Sequence, residues 1–250
     1  MRISLATARA PGRANEDYVG AGRNWAIILD GATAPDGVDS GCVHDVRWLV
    51  RRLAAGLSGR LLATGSPPLA DLLAGAIAET CAAHSGTCDL ANPDSPSATV
   101  SVVRAGPDRV DYLTLADSPV VLWYRDQTFT AVTDDRIARL PGGRPYSGDL
   151  VRAHRNKAPG FWVASTQPEA AYQAITGEVP FASVSEIGLF TDGVTRLLDW
   201  YGWTWPEVFS RLRSEGPQGL IARVRAAERD QPRRHEKPHD DASAIYLNLS

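Results

Sequence analysis

The stretch "AIILDGATAP", residues 26–35, carries an apolar run straight into a carboxylate and a glycine. Such a run reads as a buried strand, and its end on Asp30-Gly31 asks for a reason. The figure recurs. "IGLFTDGVTRL" (187–197) ends a second apolar run on Asp192-Gly193, and "HDDASAIYLNL" (239–249) starts a third from Asp240 and Asp241. Carboxylates at the ends of strands far apart in the chain are what strands converging on one place would leave.

Outward from there, residues 2–8 alternate as a strand, and 39–63 hold Val43, Val46, Leu49, Val50, Leu53 and Leu57 at helical spacing. Pro67 and Pro68 open a second helix, "LADLLAGAIAETCAAH", ending before Gly86. After the loop "CDLANPDSPS" come the strand runs "ATVSVVRA", "RVDYLTLAD", "PVVLWYR" and "TFTAVTD", the first two joined by the turn "AGPDR". Residues 135–160 are polar and rich in Gly and Pro, so an irregular segment is expected. "EAAYQAIT" (169–176) reads as a short helix and "SVSEIGLFTD" as a strand; two or three helices follow between Val194 and Arg229, then the strand "ASAIYLNL". Paired helices alternating with hairpin-linked strands argue α+β with antiparallel sheet, in one domain over 1–250.

Composition is that of an ordinary globular chain, 44% hydrophobic and 22% charged over 250 residues. The net charge of −3 argues against nucleic acid or an acidic membrane as partner, and no apolar run approaches the roughly 20 residues of a membrane span. With no apolar leader at the N-terminus, a cytoplasmic location is expected. Cys42, Cys81 and Cys88 are odd in number and lack CxxC spacing, so neither a disulfide framework nor a zinc site is indicated. His44, His84, His154 and His235 are scattered without ligand spacing, and His239 reads as a loop histidine beside Asp240. The aromatics of "DWYGWTW" (199–205) are expected to cover the core at a helix junction, and Asp36-Gly37 to be a plain turn.

Hard divalent cations take oxygen ligands, and crowded carboxylates repel one another unless a cation lies between them. Asp-Gly suits that duty: the acid supplies charge, while glycine lets the chain turn and leaves its carbonyl accessible.

In order, the chain carries "RANEDYVG" (13–20), "AIILDGATAPDG" (26–37), "SPSATVSVV" (95–103), "YLTLADSPVVLW" (112–123), "GLFTDGVTRL" (188–197) and "DDASAIYL" (240–247). This series resembles the motifs of the type 2C family of metal-dependent serine/threonine protein phosphatases, in a divergent bacterial-type form. The resemblance implies a four-layer αββα sandwich, two antiparallel sheets face to face with a helix pair outside each. It implies that Asp30 bridges two Mn²⁺ or Mg²⁺ ions, with the Gly31 carbonyl, Glu16 and Asp17 (directly or through water) serving one and Asp192 and Asp240 the other. It gives Asp117 to a weaker third ion and makes Arg13 the phosphate-binding arginine. The implied reaction is hydrolysis of phosphoserine or phosphothreonine by a metal-activated water, with a phosphorylated protein or peptide as partner and a monomer as the default state.

Two departures matter. The family's His-Gly-Gly after Asp-Gly is Ala32-Thr33-Ala34 here, and Arg13 lies one residue nearer Glu16 than usual. They motivate the alternative of a catalytically weak pseudophosphatase acting as a binding or regulatory module. Residues 136–157, where the family places a flap, hold Arg136, Arg139, Arg144, Arg152, Arg155 and Lys157 against Asp149. Either a basic face that steers acidic phosphopeptides or a plain solvated loop is expected there.

Overall fold

The run that opens the sequence reading is apolar throughout because the strand it forms is covered on both faces. In β3 (Trp25–Ala32), Ile27 and Leu29 join a core shared with helices, while Ala26 and Ile28 join one shared with the opposite sheet. The computed structural model describes residues 1–34, 37–63, 65–142, 146–232 and 237–250.

One sheet has the order β2 (Tyr18–Ala21), β3, β4 (Ser97–Ala105), β5 (Arg109–Leu115), β8 (Ile175–Pro180). The other runs β1 (Arg2–Ala8), β10 (Ala242–Asn248), β9 (Val184–Phe190), β6 (Val120–Tyr124), β7 (Phe129–Val132). Every neighbouring pair is antiparallel. Between the sheets lie Ile28, Val103 and Val110 from one and Leu122, Ile187 and Ile245 from the other. Outside the first sheet pack α1 (Val46–Leu62) and α2 (Leu69–His84), through Leu53, Leu57, Leu73 and Ile77. Outside the second pack α4 (Asp192–Asp199) and α5 (Trp205–Asp230), through Leu197, Phe209, Leu220 and Val224. The four-layer sandwich is as expected, and Trp203 and Trp205 do cover the core where α4 meets α5. Among the described residues no helix is long and apolar enough to cross a membrane.

Several local expectations are corrected. The first helix starts at Val46, where the Asp45 side chain accepts the Trp48 amide as N-cap; Val43 lies before it and is 75% exposed. "EAAYQAIT" is a turn of 3₁₀ helix over Pro168–Gln173 that leads into β8, an edge strand. Residues 135–160 are not wholly irregular. They include α3 (Gly148–His154), and Leu140, Phe161 and Val163 pack with Ala116 into a small core of their own.

Nor do the described residues of that segment present a free basic face. Arg136 pairs with Asp134 at 2.5 Å, Arg139 with Asp135 at 2.7 Å, and Arg152 with Asp94 at 2.8 Å. Arg155 donates to Ser95 O at 2.6 Å and Ser165 Oγ at 2.9 Å, and burial pulls its pKa down to about 10. The neutralising acids Asp94, Asp134 and Asp135 lie outside residues 136–157, and with these arginines already paired the plain loop is the reading the structure favours. The readings made for Asp36, Arg144 and His235 lie outside the described residues.

Candidate metal centre

Alternation along β3 decides where Asp30 goes. It shares the parity of Ile28 and faces the gap between the sheets, whereas Gly31 shares the parity of Leu29 and faces α1. A Cβ on Gly31 would lie 2.7 Å from Glu16 O and 3.0 Å from Val46 Cγ2, so this residue is glycine to admit the backbone of Glu16 and the first turn of α1. At Gly193 a Cβ would stand 1.9 Å from Asp241 O. Neither glycine has a left-handed φ. In both Asp-Gly pairs the glycine serves close approach of a second chain segment, not the sharp turn the dipeptide suggests.

Asp192 is the first residue of α4, directly after β9, where the helix dipole favours a negative charge. Asp240 precedes β10, Asp17 precedes β2, and Asp117 lies between β5 and β6. These ends meet. Burial holds Asp30 well above the usual carboxylate range, and the charges of Asp17, Asp192, Asp240 and Asp117 push it in the same direction. Burial likewise takes Asp192 to about 6, with Asp240 and Asp117 adding to the rise and Arg196 and Lys237 opposing it.

Asp17 sits deeper in the cluster than Glu16. Its Oδ2 accepts from Ser243 Oγ at 2.7 Å and Thr191 Oγ1 at 2.9 Å, while its Oδ1 is buried with no hydrogen-bond partner. Burial outweighs the two hydroxyls and lifts Asp17 to about 7. Glu16 stands nearer the rim, its Oε1 accepting from Thr33 Oγ1 at 2.9 Å. Burial raises it, against that bond and the charges of Lys237 and Arg13. Arg13 is exposed beside it. Thr33 lies in the stretch that departs from the family pattern, and gripping Glu16 is what it does here.

The adjacent acids Asp240 and Asp241 divide their work. Asp240 Oδ2 accepts from Arg196 at 2.8 Å, and Lys237 pairs with its Oδ1. Asp241 Oδ1 accepts from Ala10 N at 2.7 Å and Oδ2 from Glu16 N at 2.6 Å, so it fastens the N-terminal loop that carries Glu16 and Asp17. Asp241→Asn is therefore expected to cost about 1–3 kcal/mol of stability in urea unfolding, since an amide can replace only one of two charge-assisted acceptors. Asp240→Asn should instead weaken Mn²⁺ binding by calorimetry with a smaller stability loss; the reverse pattern would exchange the two roles.

Sequence reasoning missed the support behind Asp240. Arg196, 5% exposed, lies 4.4 Å over the Trp200 ring and also donates to Glu228 Oε1 at 3.1 Å. Glu228 is itself buried and takes Arg225 at 2.9 Å and His239 Nδ1 at 2.8 Å. His239 thus holds a buried helix carboxylate. The only sequence signal was an arginine four residues beyond Asp192.

Beside the carboxylates, Asp117, Asp192, Thr133, Leu198 and Trp205 line a cleft of about 290 Å³. A buried oxygen without a donor, among carboxylates that hold one another's protons on, is what a hard cation would satisfy. The donor set fits Mg²⁺ or Mn²⁺.

A family model described as protein phosphatase 2C matches residues 6–225. The chain belongs to the protein phosphatase 2C family. Among solved structures it is similar to the Mycobacterium tuberculosis serine/threonine phosphatase PstP/Ppp, at 16% identity and a TM-score of 0.66, covering 100% of this chain and 98% of that one. The catalytic domain of PstP in complex with two manganese ions gives 16% identity and a TM-score of 0.64, covering 99% and 97%. Serine/threonine phosphatase Stp1 from Staphylococcus aureus gives 12% and 0.63, covering 99% and 94%. At these identities the likeness concerns the fold. Among curated proteins no sequence matches this chain significantly. This 2C-family chain thus carries the family's sandwich, with the strand-end carboxylates gathered at one rim.

Proposed function

We propose that this chain is a divalent-metal-dependent phosphatase that hydrolyses phosphoserine and phosphothreonine in protein or peptide substrates. The observation that carries the reading is the buried, unpartnered Oδ1 of Asp17 among carboxylates whose pKa values are raised together. Asp30, Asp192, Asp240 and Asp17, with the Gly31 carbonyl and Glu16 at the rim, would hold two ions. Manganese is the first to try, given the two ions in the PstP complex. Bound there, the ions would lower the pKa of a water and offset phosphoryl charge.

The chain's own groups prepare that site. Thr191 and Ser243 fix the rotamer of Asp17, Arg196 holds Asp240 toward the cluster, and Asp241 pins the loop bearing Glu16. Arg13 stands at the rim, where it can meet a phosphoryl group, and the cleft beside Asp192 takes the residues that flank it. The carboxylates must lose their protons to bind cations, so activity should fall as pH drops through the range of about 6 to about 7 to which Asp192 and Asp17 are lifted.

Asp117 contributes to the rise at both Asp30 and Asp192, which supports a third, weaker ion beside them. Asp117→Ala is expected to leave the tight pair in place and lower turnover about tenfold. Mn²⁺ titration of binding and of rate checks it; loss of the tight pair, or turnover equal to the parent's, would remove Asp117 from this role. The second reading, a weak pseudophosphatase that binds phosphoproteins, is favoured by Ala32-Thr33-Ala34 where the family has His-Gly-Gly. Hydrolysis by metal-stripped protein with Mn²⁺ or Mg²⁺ restored separates the two.

A further inference from the structure

Two loops at one end of the α1–α2 hairpin bring together side chains that look unrelated in the sequence. Cys42 and His44 precede α1, His84 ends α2, and Cys88 follows it. Each offers one ligand atom, and the four atoms lie within 4.8 Å of one another. Cys42 Sγ is 3.2 Å from Cys88 Sγ, 3.7 Å from His84 Nδ1 and 3.8 Å from His44 Nδ1; Cys88 Sγ is 3.4 Å from His44 Nδ1. A tetrahedron with zinc–sulfur bonds of about 2.3 Å and zinc–nitrogen bonds of about 2.0 Å has edges of roughly 3.3–3.8 Å. The quartet is already close to that size, and its sulfurs are far beyond the roughly 2.05 Å of a disulfide.

His84 points to a ligand independently. It is 2% exposed, its Nε2 is buried with no hydrogen-bond partner, and its Nδ1 faces only a sulfur. A ring so deeply buried ordinarily finds an oxygen for each nitrogen. Its contact with the quartet is one long approach of Nδ1 to a sulfur, and coordination through Nδ1 would replace that approach with a bond.

We propose that Cys42, His44, His84 and Cys88 form a closed structural Zn²⁺ site that staples the start of α1 to the end of α2. Two thiolates and two imidazoles suit zinc and are poor donors for Mg²⁺ or Mn²⁺, so the chain sorts its metals by donor chemistry between this quartet and the carboxylates. Four protein ligands leave no open position, which makes the site structural. Trp48 covers it, stacked on His44 at 4.0 Å and tilted on His84 at 5.1 Å. The two loops already touch, Asp89 N donating to Gly41 O at 2.8 Å and Asn92 Nδ2 to Asp39 O at 3.1 Å. The staple also bears on the carboxylate rim. It fixes the first turn of α1, whose Val46 presses on Gly31 beside Asp30. His44 and His84, scattered in the sequence, and Cys42 and Cys88, whose spacing indicates no zinc site, thus come together in space. The spacing inside each half is short, Cys-x-His and His-x₃-Cys, and the helical hairpin joins the halves.

The test is zinc content of the whole chain, purified without a metal-affinity step and dialysed against a weak chelator that clears the carboxylate site. About one zinc per chain is expected, retained in Asp30→Asn and lost when Cys42→Ser and Cys88→Ser are combined. Co²⁺ added to stripped protein should give sulfur-to-cobalt charge-transfer absorption. Should the serine variant fail to fold, the wild-type chain still decides. Zinc should slow alkylation of Cys42 and Cys88 by roughly tenfold or more and leave Cys81 unchanged, with a strong chelator reversing it. Zinc at the same stoichiometry in the serine variant would overturn the proposal. So would a wild-type chain that takes up none, shows no protection and closes a Cys42–Cys88 disulfide in air.

Discussion

Asp30→Asn is expected to lower kcat/KM for p-nitrophenyl phosphate by about a thousandfold or more while raising the melting temperature of the metal-free protein. Both effects have one cause. Asp30 is half-buried, and loss of hydration together with four neighbouring acids pushes its pKa up, so its charge is the most opposed in the cluster and the one a pair of cations needs most. Asparagine keeps the shape and removes the charge. The sign of the pH dependence follows from the raised values of its neighbours. Asp17 titrates at about 7 and Asp192 at about 6 in the folded chain, against 3.8 for each when unfolded. Between pH 3.8 and about 7 the folded state holds protons that the unfolded state has released, so metal-free stability falls as pH rises through that window. Divalent cations should reverse the fall, most strongly above it. Calorimetric melting with and without Mn²⁺ reads both arms; in Asp30→Asn the pH slope should flatten and the Mn²⁺ response disappear. An unchanged Mn²⁺ affinity in the variant would remove Asp30 from the site.

Gly193→Ala should be more damaging to folding than any surface change, costing about 3 kcal/mol or more. The added carbon would sit 1.9 Å from Asp241 O and 2.9 Å from Asp241 C, and both are backbone atoms that cannot swing aside. Relief requires the start of α4 to back away from the entry to β10, which carries Asp192 away from Asp240. Stability and Mn²⁺ affinity should therefore fall together. Gly59→Ala is the matched control: it lies inside α1 with nothing within 4 Å of the added carbon, so alanine should stabilise by about 0.5–1 kcal/mol. Urea unfolding of the two variants is the check. A Gly193→Ala protein as stable as its parent would mean that α4 is not held where it is described.

The sandwich was legible because its strands are covered twice. Continuous apolar runs such as residues 26–29 and 187–190 leave little choice, and α2 was readable to its last residue from Pro68 and an unbroken apolar face. Two edge strands, β2 and β8, were not. β2 has four residues, none fully buried, and β8 alternates exposed and partly buried residues up to Pro180, so neither leaves an apolar signature. The acids at strand ends were visible as a set, but their depth was not. Asp17 is deeper than Glu16 because Thr191 and Ser243, from the other sheet, close over it. Asp241 matters through amides of Ala10 and Glu16 at the far end of the chain, and Arg196 through Glu228 on another helix. Pairing across such distances has no local signature. The same holds for Cys42 and Cys88, which come together only once α1 and α2 fold back on each other.

The central claim is that the carboxylate rim performs metal-dependent phosphoester hydrolysis. The most direct measurement is phosphate release from a phosphothreonine peptide by metal-stripped protein, at a pH above the range in which Asp17 and Asp192 titrate, as Mn²⁺ is restored. No turnover without metal is predicted, then a rise that saturates with the filling of two sites and is absent in Asp30→Asn. Peptide binding without phosphate release at any Mn²⁺ or Mg²⁺ concentration would contradict the account and leave a binding module in its place.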